Sequence, residues 1–151
     1  MWEATFYFFI LIFIPCLFFY LSLRVKNDHI FTEKCMSSNQ FLNVSLKYTG
    51  FSIFVDKNFL LSKLDLFKKI SKTIEPCIFV DVSNNNIYRK TDERIIDELQ
   101  INVLPSILYI KNGVKKEEIS NFMEFNGLSD SEIIEHVKLR IERTKQIVSS
   151  H

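Results

Sequence analysis

The sequence predicts an α/β fold: a mixed four-stranded sheet with helices on both faces, preceded by one transmembrane helix at the N-terminus. Three observations carry this expectation. After Gly50, short apolar runs rich in β-branched and aromatic residues alternate with amphipathic helical patterns. Asn112-Gly113 separates two of the apolar runs, which is a strong short-range hairpin signal. From Ala4 to Leu23 there is no charged residue. The 151 residues have room for one core and an appendage.

The charge-free run holds Phe6, Phe8, Phe9, Phe13, Phe18 and Phe19 among other apolar residues. Twenty residues of helix reach roughly 30 Å, the thickness of a bilayer core. Trp2, Tyr7 and Tyr20 lie near its ends, where amphipathic rings favour the interface. A cleaved secretory signal is the competing reading. Glu3 stands where a basic stretch would be needed, and no small-residue cleavage site follows Leu23. An uncleaved anchor over residues 1–26 is therefore expected, with the membrane contacted through residues 4–23. Arg24 and Lys26 follow the run, which places the remainder of the chain in the cytoplasm by the positive-inside rule. Residues 27–49 are mixed and polar and read as a stalk, with room for a short element at Phe41 to Tyr48. Asn43-Val44-Ser45 matches a glycosylation sequon, a triplet common by chance.

Residues 50–151 read as the folded domain. Phe51 to Val55 is a buried strand. Phe59 to Ile74 is a helix, with Leu60, Leu64, Phe67, Ile70 and Ile74 recurring every three or four residues, and Pro76 ends it. Cys77 to Val82 is a second strand, closed by Ser83-Asn84-Asn85-Asn86. Thr91 caps a helix that places Ile95, Ile96 and Leu99 on one face. Ile107 to Ile110 is a strand that turns at Asn112-Gly113, and Lys115 to Phe125 returns. Ser129 and Glu132 form a capping box before a final helix carrying Ile133, Val137, Ile141 and Val148. Lys138, Arg140, Arg143 and Lys145 on that helix read as a solvated face.

Composition narrows the function classes. Nineteen basic against eighteen acidic residues leave a net charge of +1, without the basic excess of nucleic-acid-binding domains. No nucleic-acid partner is expected. Cys16, Cys35 and Cys77 show no metal-ligand spacing, and His29, His136 and His151 are scattered, so no metal and no other cofactor is expected. Cys35 and Cys77 are either unpaired thiols or the one possible intrachain bridge.

The strand and helix order, together with Val103-Leu104-Pro105-Ser106-Ile107-Leu108-Tyr109-Ile110-Lys111-Asn112-Gly113, resembles the thioredoxin-like superfamily. In that family a cis-proline opens a strand that ends in an Asn-Gly or Asp-Gly turn. The resemblance covers about residues 50 to 145 and implies a cis bond at Leu104-Pro105. It also implies a Cys-x-x-Cys pair at the start of the first long helix, where the helix N-terminus activates a thiolate. Here that stretch is Phe59-Leu60-Leu61-Ser62. Phe59 and Ser62 occupy the two cysteine places, or Leu60 and Lys63 after a one-residue shift. Neither register offers a thiol. Within the superfamily, the chain looks most like thioredoxin-fold bacteriocin accessory and transport proteins of Gram-positive bacteria. That likeness favours an extracytoplasmic domain, against the flanking charges.

The resemblance implies a membrane-anchored, redox-inactive accessory factor that binds a peptide or protein client. The degenerate site at Phe59, Leu60, Leu61 and Ser62 would face Leu104, Pro105 and Ser106, which hold the client as an added strand. Bacteriocin export or maturation is the setting the narrower likeness suggests. Phe59 and Leu60 equally suit plain core packing. Two alternatives remain: a thiol–disulfide oxidoreductase or isomerase using Cys35 or Cys77, and an immunity or structural subunit of a membrane complex.

Overall fold

The computed structural model describes residues 12–24, 26, 35–74, 76–83 and 89–149. The chain divides into two units, Met1–Glu33 and Lys34–His151.

In the first unit, residues 12–24 are helical and their apolar side chains are exposed. This corrects the expected membrane anchor and the membrane localisation. No helix among the described residues is long and apolar enough to cross a membrane. The part of the expected span at residues 4–11 lies outside the described residues.

The second unit is an α/β fold on a five-stranded sheet, where four strands were expected. Its elements are β1 (Cys35–Ser37), α1 (Ser38–Ser45), β2 (Thr49–Val55), α2 (Lys57–Ser62), α3 (Leu64–Thr73), β3 (Cys77–Asp81), α4 (Arg89–Glu98), β4 (Ser106–Lys111), β5 (Val114–Asn121), a 3₁₀ turn (Phe122–Phe125) and α5 (Asp130–Ser149). The strand order is β1-β3-β2-β4-β5. β1 and β2 run parallel to β3, while β4 is antiparallel to both β2 and β5.

The additional strand lies in the stretch 27–49 expected as a stalk. Cys35, Met36 and Ser37 pair with Phe79, Val80 and Asp81. Three residues are too few to show a period of two, so the strand is set by its partner and not by its own pattern. A capping box then starts α1: the Gln40 N–H donates to Ser37 Oγ, and the Ser37 N–H donates to Gln40 Oε1. Phe41, only 1% exposed, anchors α1 in the core.

Side chains alternate across the sheet and feed two cores. On one face Phe54, Val80, Leu108 and Ile110 meet Phe41 of α1 and Ile95 and Leu99 of α4. On the other, Phe79 meets Phe67 of α3, and Phe51 packs with Tyr109 beneath Lys145 of α5. The helix expected over 59–74 is broken at Lys63, which leaves helical geometry at φ −125° and ψ 31°. The hairpin turns where expected, with Asn112 and Gly113 both at positive φ. A Cβ on Gly113 would lie 3.1 Å from the Ser45 carbonyl oxygen, so the glycine also lets the hairpin tip approach α1. At the start of α5 the Ser129 N–H donates to Glu132 Oε2 over 2.8 Å, and Arg140 pairs with Glu124 of the 3₁₀ turn at 2.6 Å.

Phe54 is fully buried and meets Phe41 edge-on at 5.3 Å. Phe54→Ala is expected to cost about 3–5 kcal/mol of stability. Leu139→Ala, on the exposed face of α5, is expected to stay within about 0.5 kcal/mol of wild type. Denaturant unfolding of both variants, compared at equal slope, checks this.

Candidate functional site

The pairing of β2 with β4 builds the site. The strands are antiparallel, with Phe54 opposite Ser106. The end of β2 and the start of β4 therefore lie side by side at one end of the sheet. There β2 leads into α2, and Pro105 leads into β4.

Asp56 caps α2, accepting from the N–H groups of Asn58 at 2.7 Å and Phe59 at 3.3 Å. The cap fixes how the short helix leaves the sheet. Leu60 then points inward and is fully buried, while Phe59 is 38% and Leu61 49% exposed. The four residues of the degenerate site thus divide. Leu60 is core, Phe59 and Leu61 are surface, and the Ser62 hydroxyl is spent on the Phe59 carbonyl at 2.7 Å.

Across from α2, the Leu104-Pro105 bond is cis. Pro105 is buried, and the Ser106 hydroxyl is buried without a hydrogen-bond partner among the described residues. Leu104 is partly buried and packs on the core that α1 and α4 share.

Phe122 joins the two halves. Its N–H donates to the Pro105 carbonyl at 3.1 Å. Its ring stacks on Phe67 at 5.2 Å and meets Phe59 edge-on at 6.4 Å. Phe122 was expected in a returning strand, whereas β5 ends at Asn121 and a 3₁₀ turn begins. Three apolar side chains among the four residues Phe122–Phe125 were the available signal. Met123, 63% exposed, follows Phe122 in that turn. The result is an aromatic cluster beside the cis-proline, with Phe67 and Phe125 buried and Phe59 partly exposed.

The thiols are not part of it. Cys77 opens β3, opposite Phe51, at the far end of the parallel strands from α2. Cys35 is opposite Phe79, so the two cysteines do not face each other, and both are free. Burial pushes each thiol up to about 12, with Asp81 adding to the rise at Cys35 and Lys57 opposing it. A thiol so poised is almost wholly protonated near neutral pH and is a poor nucleophile. This counts against chemistry through Cys35 or Cys77. Among the described residues no group of three or more His, Cys, Asp or Glu side chains is placed to hold a metal ion.

Set against protein-family models, curated proteins and solved structures, the chain matches none.

The thiols give a direct test. In the folded protein at pH 8, Cys35 and Cys77 are expected to alkylate at least about a hundredfold more slowly than in denaturant, where thiols titrate near 8.5. Mass spectrometry of iodoacetamide-treated protein, resolved by peptide, reads this out.

Proposed function

We propose that this chain is a redox-inactive, thioredoxin-like binding module that holds an extended peptide against the Pro105 loop. The observation that carries the reading is the half-exposed Phe59 ring, set beside the cis-Leu104-Pro105 segment through Phe122. The strand order and the mixed parallel and antiparallel pairing are consistent with the superfamily resemblance. Phe59 stands at one of the two positions where that resemblance leads one to expect cysteine.

Physically, the surface suits an apolar peptide side chain. Phe59, Leu61 and Met123 are exposed, and each apolar Å² removed from water contributes about 25 cal/mol. The backbone beside Pro105 supplies the direction, with the peptide lying along it as an added strand. Selectivity would come from the exposed Phe59 ring and its apolar neighbours, since backbone pairing is blind to sequence. The narrower likeness to bacteriocin accessory proteins suggests a small exported peptide as the client. A precursor and an exporter encoded beside this chain would favour that setting, and other neighbours would count against it.

Binding to an array of extended apolar peptides tests the module. The wild-type chain is expected to retain peptides with aromatic or aliphatic residues. Phe59→Asp and Leu61→Asp are expected to weaken retention at least about tenfold, with helix content unchanged by circular dichroism. Leu139→Asp, on the exposed face of α5, is expected to bind like wild type. Equal retention by folded Phe59→Asp and Leu61→Asp would overturn the reading.

A further inference from the structure

Asp92 stands in the first turn of α4, a place where aspartate ordinarily faces solvent and the helix dipole. Here it is 2% exposed. Neither carboxyl oxygen has a hydrogen-bond partner among the described residues. The same holds for the hydroxyl of Ser38, 1% exposed, at the start of α1, the helix against which α4 packs.

Among the described residues, the charges felt by the carboxyl do not relieve it. From β3 it feels Asp81, which accepts the Ser83 N–H at 2.9 Å, and from its own helix it feels Glu93. α1 and β2 carry no ionisable side chain. On β4, Tyr109 belongs to the opposite face of the sheet, and Lys111 pairs with Thr49 and Val114 at the hairpin end. On β5, Lys115 holds the Gln100 carbonyl beyond the other end of α4 and pairs with Glu118. The hold on α4 is otherwise apolar, through Ile95 and Leu99.

We propose that α4 is seated by a pH-gated contact: it packs against α1 and the sheet while Asp92 carries a proton, and loosens when Asp92 ionises. A buried carboxylate that no described cation offsets is costly, whereas the protonated acid is tolerated. Burial raises the Asp92 carboxyl above the usual range, the Ser38 hydroxyl opposes that rise, and Asp81 and Glu93 add to it. The seated state therefore binds the proton more strongly than the loosened state. Seating is complete below the ordinary carboxylate value of about 3.9. It weakens as pH rises through the window up to the raised value, then levels off. The proposal does not rest on a peptide held at the Pro105 loop.

Native-state hydrogen exchange on the full chain between pH 4 and 8, corrected for the intrinsic exchange rate, tests it. Amides of α4 are expected to lose up to about tenfold in protection per pH unit within the window, while those of α5 stay level. Asp92→Asn, which keeps the shape without the charge, is expected to hold α4 protected throughout. Level α4 protection in the wild type would overturn the proposal, as would the same slope in Asp92→Asn. If that variant does not fold, the wild-type comparison of α4 with α5 decides by itself.

Discussion

β2 is buried along all but its first residue, and the other elements take their places from it. A strand with no face to water must satisfy its backbone on both edges. β3 supplies one edge in parallel and β4 the other in antiparallel register. Its side chains must likewise be covered on both faces. α1 and α4 cover Phe54, while the opposite face, with Phe51 and Phe79, is covered from α3 and α5. β1 and β5 then complete the outer edges of a sheet whose centre is already specified.

The same constraint makes the surface of interest. Because β4 runs against β2, the residues after one and before the other emerge together. The Asp56 cap starts α2 there, and the cis Leu104-Pro105 bond precedes β4. Phe122 bridges them with one backbone hydrogen bond and two ring contacts. The chemistry of this place is therefore adhesive. It offers apolar area and backbone, the Ser62 hydroxyl is engaged with its own helix, and both half-buried thiols lie elsewhere, their acidity weakened by burial.

Local chemistry was legible wherever a pattern repeats or a turn demands special residues. The strands around Phe54, Val80 and Leu108, the Asn112-Gly113 turn and the Ser129–Glu132 box all follow from short-range rules. Other features left no such trace. β1 is too short to carry a period. Phe122 looks like one more strand aromatic until its N–H finds Pro105. Asp92 reads as an ordinary first-turn acid, and its burial is set by tertiary packing. The apolar run at the N-terminus shows the reverse failure. Composition predicted a membrane span, while no helix among the described residues is long and apolar enough to be one.

The sequence by itself determined the strands around Phe54, Val80 and Leu108, the long final helix, where the hairpin turns, and that no cysteine stands at the start of α2. These depend on residues within a few positions of one another, which periodicity and turn chemistry report. Only the tertiary structure decided that Cys35–Ser37 is a fifth strand, that Phe59, Phe122 and Pro105 share one surface, and that Asp92 is enclosed. Each of these depends on partners far away in the chain. A local pattern says which face of a segment is apolar, but carries no information about which other segment will cover it.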